Sequence, residues 1–233
     1  MTEKSSLAVA LDLVAAPNQA FAAIKERPSV WLPLLVLVVS YATVSFVYMT
    51  SVDLAWFFDQ QLQQSQDLTE DQRAQAVRAT TSISPLAYGA IGAVTGPIGL
   101  LIVLFIGALY YTAVSFFSHD GIRLKQWFAF NCWCCLPIVL GILATLVNIV
   151  VGDARFMAQD EINPLSFRSL LGLDTAGMDP VQRGLLSVDV TTIWAIVLSV
   201  LGYQLWTKRS TVATVAVVLG PLVLIVAVAV LLT

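Results

Sequence analysis

The chain has 233 residues, of which 58% are hydrophobic and only 12% charged, with a formal net charge of −3. A soluble domain of this size has too little interior to hide that much apolar surface, and the longest basic run is Lys208-Arg209. These figures exclude an ordinary cytosolic enzyme, a disordered protein and a nucleic-acid-binding domain, and leave a polytopic membrane protein.

Residues 1–30 are expected to form a cytoplasmic amino-terminal region, not a span. Leu7, Leu11, Val14, Phe21 and Ile24 recur at helical spacing among polar residues, and Pro17-Asn18 starts a new helical turn. The pattern predicts a short helix lying at the membrane interface, with Lys25 and Arg27 near lipid headgroups. A positive segment followed by an apolar one is missing here, so no cleavable signal peptide is expected.

Residues 31–233 then read as a transmembrane domain. Five apolar stretches reach the roughly 20 helical residues a bilayer crossing needs: about 31–50, 85–117, 127–151, 188–206 and 212–232. Helices are the only spanning form open to them, because lipid satisfies no backbone N–H or C=O. The second stretch is too long for one straight span and contains Gly96-Pro97. A helix break is predicted there, with residues 83–95 as a bend at membrane depth and 97–117 as the span proper. Trp31, Trp127 and Trp206 stand at span ends, as expected of an aromatic belt.

The outer loops, 51–84 and 152–189, are helical by pattern. Asp53 is placed to cap a helix bearing Leu54, Phe57, Phe58 and Leu62 on its apolar side. Thr69 and Gln72 form a capping box for a second helix through Arg78. Asn163-Pro164 starts a segment ending at Gly172, and Asp179-Pro180 starts another. With the amino terminus inside, the inner segments carry a net charge of +3 and the outer loops −6. That asymmetry predicts a cytoplasmic amino terminus and a periplasmic carboxyl terminus.

Few residues offer chemistry. Asp189 stands at the mouth of the fourth span, where it either caps the helix or serves a polar network or ion path. Asn131 and Asn148 lie in the third span and are expected to hydrogen-bond across helices. Gly92 to Gly96 has the small-residue spacing that lets helices approach closely. Cys132, Cys134 and Cys135 crowd one apolar stretch and read as packing residues, not thiolate ligands. His119 beside Asp120 reads as a solvated loop residue, and Ser115, His119 and Asp120 do not make a triad. No cofactor, metal or catalytic residue is expected.

Three segments carry a resemblance. Pro17-Asn18-Gln19-Ala20-Phe21-Ala22-Ala23-Ile24 precedes Trp31-Leu32-Pro33-Leu34-Leu35; Trp127-Phe128-Ala129-Phe130 precedes Leu136-Pro137; and Val188-Asp189-Val190-Thr191-Thr192-Ile193-Trp194 is followed by Leu198 and Gly202-Tyr203. In this order the plan resembles the Yip1 family of five-span membrane proteins over roughly residues 7 to 232, with an opening like that of its bacterial branch. The Asp-Leu-Tyr-Gly-Pro signature of eukaryotic members is absent, which speaks against binding of prenylated trafficking GTPases and for a bacterial inner-membrane setting. The resemblance implies membrane organisation or partner binding, not a reaction. The expectation is thus an all-α, five-span, non-enzymatic protein whose partners are membrane lipid and a second copy or other membrane proteins, with no nucleic acid. A transporter or channel for an ion, small solute or lipid is the alternative.

Overall fold

The computed structural model describes residues 5–63, 69–174 and 177–232. Glu3, Lys4, Asp67 and Thr233 lie outside the described residues. The architecture is all-α. Among the described residues the only strand-like feature is one antiparallel bridge between Ser166 and Asp189.

The amino-terminal arm forms two helices, α1 (Ser6–Ala15) and α2 (Pro17–Glu26). Ser5 caps the first through its hydroxyl, which accepts from the Ala8 N–H, and Pro17 opens the second at a position where its missing N–H costs nothing. The second of these helices is seated on the bundle by one face. Ala20, Phe21 and Ile24 of α2 are fully or almost fully buried.

Among the described residues, four helices are long and apolar enough to cross a membrane, and a bent pair brings the number of candidate spans to five when the pair is taken as one. They are α3 (Trp31–Ser51), α6 (Pro85–Ser118), the pair α7 (Leu124–Cys134) and α8 (Ile138–Val151), α11 (Val190–Thr207) and α12 (Thr211–Leu232). The outer segments carry α4 (Leu54–Gln63), α5 (Glu70–Thr81), a single 3-10 turn (Ala154–Phe156), α9 (Phe167–Leu171) and α10 (Pro180–Leu186).

The predicted caps on the outer segments form. Asp53 accepts from the Trp56 N–H at 3.0 Å and Asp179 from the Gln182 N–H at 2.9 Å. The Thr69–Gln72 capping box closes in both directions. One boundary moves: α9 is capped by Ser166, not begun at Asn163-Pro164, because Asn163 is drawn into a tertiary contact described below.

The break predicted at Gly96-Pro97 is not there. α6 is helical throughout its 34 residues, with Pro97 buried inside it. Proline in a membrane helix is tolerated where a neighbouring helix packs closely on the turn that precedes it. α3 does so here, because Gly89, Gly92 and Gly96 all face it. A Cβ on Gly89 would meet the Thr50 side chain at 2.7 Å, and one on Gly96 would meet the Ser45 hydroxyl at 2.6 Å. The chain breaks in the third span instead. α7 and α8 are bent by 41° around Cys135-Leu136-Pro137. There Ile138, Val139 and Leu140 donate to the carbonyls three residues back, replacing the α ladder by tighter turns.

Pro221 sits inside α12 and leaves the Val217 carbonyl without its normal partner four residues on. The Tyr110 hydroxyl of α6 donates to that carbonyl at 2.8 Å. A tyrosine on a neighbouring helix thus supplies the hydrogen bond the proline removed.

The aromatic belt is corrected as well. Trp31 is 79% exposed and fits it, but Trp127 is fully buried and Trp206 is 4% exposed. Both belong to the main core cluster, together with Phe21, Tyr111, Phe130 and Tyr203.

Candidate functional site

Two places gather polar or aromatic side chains from elements distant in sequence. The first lies where α11 begins. Asp189 caps that helix, its Oδ1 accepting from the Thr192 N–H at 2.7 Å and from the Thr191 hydroxyl at 2.9 Å. Its Oδ2 accepts from the Asn163 side-chain amide at 2.7 Å. The backbone reinforces this contact. Phe167 N–H donates to Val188 and Val190 N–H to Leu165, so the segments around Ser166 and Asp189 are zipped together.

Asp189 is buried. Burial pushes its carboxyl pKa up, but the donors on Asn163, Thr192 and Thr191 more than offset this. The group therefore ionises below the usual carboxylate range. Gly141 of α8 forms one wall of the site. A Cβ there would sit 2.5 Å from Asp189 Oδ2 and 2.9 Å from the Thr191 hydroxyl. Only a glycine lets α8 approach the carboxylate this closely.

The three residues singled out from the sequence do not form one network. Asn148 donates to the Ile162 carbonyl at 2.9 Å, next to the asparagine that holds Asp189. Asn148 and Asp189 therefore pin the same stretch of outer loop to the bundle. Asn131 has a separate task, donating to the Leu104 carbonyl of α6 at 3.1 Å. Gly107 of α6 faces the Asn131 amide, 2.8 Å from where its Cβ would lie. Sequence reading missed Asn163, Thr191 and Gly141. A second polar residue 26 positions away leaves no periodic signal, and an isolated glycine in an apolar helix has many readings.

Nearby, Arg168 bridges Asp160 at 2.8 Å and also Glu161. This ties the loop before α9 to the helix itself.

The second place is the seat of α2. Trp206 Nε1 donates to the Phe21 carbonyl at 2.9 Å, and Lys25 Nζ donates to the Trp206 carbonyl at 2.8 Å. Gln126 donates to the Lys25 carbonyl at 2.9 Å, and Trp133 Nε1 to the Ser29 carbonyl at 2.8 Å. Burial first, and Lys208 second, pull the Lys25 pKa below its ordinary value, with Asp120 acting the other way. Beneath these bonds the rings stack: Tyr111 on Trp127 at 5.0 Å, Trp127 on Tyr203 at 5.5 Å, and Phe21 beside Phe130 at 5.6 Å. Ser115 accepts from Trp127 Nε1 at 3.0 Å, so its hydroxyl serves packing. Gly202 closes the seat. A Cβ on it would meet Phe21 at 2.6 Å and Phe130 at 2.7 Å.

The three cysteines are free thiols, with Cys132 and Cys134 buried in helix contacts. Among the described residues no three His, Cys, Asp or Glu side chains gather as a metal site would require.

A family model, the Yip1 domain, matches residues 11–232. Membrane protein YknW of Bacillus subtilis (strain 168) is 28% identical over 205 residues, covering 86% of this chain and 78% of that protein. No solved structure matches. The chain belongs to the Yip1 domain family of membrane proteins.

Proposed function

We propose that this chain is a non-enzymatic organiser of the bacterial inner membrane, acting through lateral helix contacts and binding of a second copy or of other membrane proteins. The observation that carries the reading is how the family-bearing residues are used. Phe21, Trp127, Phe130, Leu198 and Tyr203 are buried in one packed cluster, with Gly202 beneath the Phe21 and Phe130 rings. They fix how an amino-terminal arm seats on a helix bundle, and they line no polar chamber. Wide apolar faces are left outward. Ile98, Ile102, Val103 and Ile106 of α6 and Val223, Leu224 and Ile225 of α12 are all about half exposed or more.

Transport is the second reading. It drew on Asp189, two asparagines and a broken helix. The helix is continuous at Gly96-Pro97, and both asparagines donate to backbone carbonyls, so its support is weaker.

Purification in lipid nanodiscs tests the proposal. A recurrent partner or a self-associated form is expected; strict monomers without partners across several detergents overturn it. Ion or solute flux in liposomes that falls in Asp189→Asn would establish the transport reading instead.

The orientation belongs to the same proposal: residues 1–30 cytoplasmic, the loops at 51–84 and 152–189 periplasmic, and the carboxyl terminus periplasmic. A phosphatase that folds only outside the cytoplasm, fused after Thr233, is expected to be active. Activity of a cytoplasm-only reporter at that position would reverse the assignment.

A further inference from the structure

The two outer segments enclose a cleft of about 420 Å3 that neither place described above uses. One wall is α4, where Trp56 and Phe57 are followed one turn on by Gln60 and Gln61. The turn after Phe156 gives the second wall, with Gln159 and Asp160. α10 gives the third, with Arg183 and Ser187. The volume lies in the range of about 300–1,000 Å3 usual for small-ligand sites.

All three walls are fixed by contacts of the protein itself. The Asp53 N–H at the start of α4 donates to the Arg155 carbonyl at 3.0 Å, and the Tyr48 hydroxyl to the Met157 carbonyl at 3.0 Å. Phe156 braces Trp56 edge-on, with ring centres 5.9 Å apart. α10 runs into the segment zipped at Asp189. The Arg183 side chain is the exception. Its Nε is buried with no hydrogen-bond partner, and among the described residues its guanidinium makes no ion pair. Asp160, the acid on the wall, is taken by Arg168 at 2.8 Å.

We propose that this cleft binds the carboxyl-terminal end of a short peptide, with its terminal carboxylate on Arg183, its amides among the three glutamines and its last side chain against Trp56. A buried charged donor without an acceptor is costly, and a counter-charge on the same guanidinium offsets that cost. Because Nε is covered, a ligand meets the two terminal nitrogens. These present parallel N–H bonds at the spacing of the two oxygens of a carboxylate. The charge of Asp160 on the wall disfavours a dianion such as phosphate. Gln60, Gln61 and Gln159 carry no charge, and each offers both a donor and an acceptor, as a peptide amide requires. Trp56 adds a flat apolar surface at low entropic cost. This reaches beyond the organiser reading, and its test does not depend on capture of a membrane partner or on self-association.

The test is calorimetric titration of the full chain in lipid nanodiscs with N-acetyl-Ala-Ala-Phe, as the free acid or as its carboxamide. The wild type is expected to take one molecule of the acid and to bind the amide at least about tenfold more weakly, the loss of one charge-assisted pair. Arg183→Gln should bind the acid no better than the amide. The Arg183 side chain supports no other group, so this substitution leaves the fold in place. Gln60→Glu, at an exposed position, sets a second carboxylate in the cleft and should weaken the acid while sparing the amide. Four results overturn the proposal: equal binding of acid and amide by the wild type, no binding of either at millimolar concentration, an unchanged preference in Arg183→Gln or Gln60→Glu, or acetate alone binding as well as the peptide.

Discussion

Replacing Gly202 with alanine is expected to unseat the amino-terminal arm. The new Cβ would lie 2.6 Å from one ring carbon of Phe21 and 2.7 Å from one of Phe130. Neither ring has room to move. Both are fully buried, and Phe21 is held through its own carbonyl by Trp206 Nε1. Overpacking a filled core typically costs about 1–3 kcal/mol. Here the strain has one cheap outlet, since α2 joins the bundle through a single face while α7 and α11 are embedded spans. The arm should therefore lift as a unit, losing the Trp206, Lys25 and Gln126 bonds together. Trypsin cleavage after Lys25 in mild detergent should become at least about tenfold faster, as a loss of about 1.4 kcal/mol of docking would give. The transmembrane core should melt nearly as in the wild type. Unchanged cleavage would mean that α2 is seated by something other than this ring-to-glycine contact.

The spans, their order and most caps were readable because they rest on local physics. An apolar run of bilayer length has only one viable backbone form. A carboxylate or hydroxyl before a helix meets its first N–H groups whatever lies beyond, which is why Asp53, Thr69 and Asp179 cap as expected. The break in the chain could not be read this way. Gly96-Pro97 and Leu136-Pro137 look alike as strings, yet the first pair is pressed between close helix contacts and stays helical while the second bends by 41°. The difference lies in Ser45, Met49 and Thr50 of another helix. Trp127 and Trp206 were misplaced for a related reason. A tryptophan at a span end fits a lipid belt unless a further element covers it, and α2 is that element. Its covering role hangs on Phe21, which in sequence is one apolar residue among several.

Asp189→Ala is expected to be among the most destabilising single substitutions in the chain. It leaves the Asn163 amide, the Thr191 hydroxyl and the Thr192 N–H without their acceptor in a buried place. Each unmade bond to a buried donor costs about 1–3 kcal/mol, so a total of about 3–5 kcal/mol follows once relaxation and water entry are allowed for. The outer loop should loosen first, visible as faster amide exchange at residues 163–172, before the spans separate. Acid should mimic this loss. The folded carboxyl ionises below its ordinary value of 3.8, so through the acid range the folded state holds fewer protons than the unfolded chain. The contribution of Asp189 is thus fully present above the unfolded value, fades as the pH falls below it, and is gone below the folded value. Asp189→Asn keeps the shape and does not titrate. The stability gap between wild type and this variant should therefore be constant from about pH 7 to 5 and shrink steadily below about pH 4. A gap that instead widened on acidification would refute the assignment of Asp189 as an ionised latch. Gly141→Ala supplies an independent check, because its Cβ would press on the same carboxylate. Alone it should cost about 1–3 kcal/mol, and in an Asp189→Ala background much of that cost should vanish. Strict additivity of the two would show that α8 and the outer loop do not meet through this carboxylate.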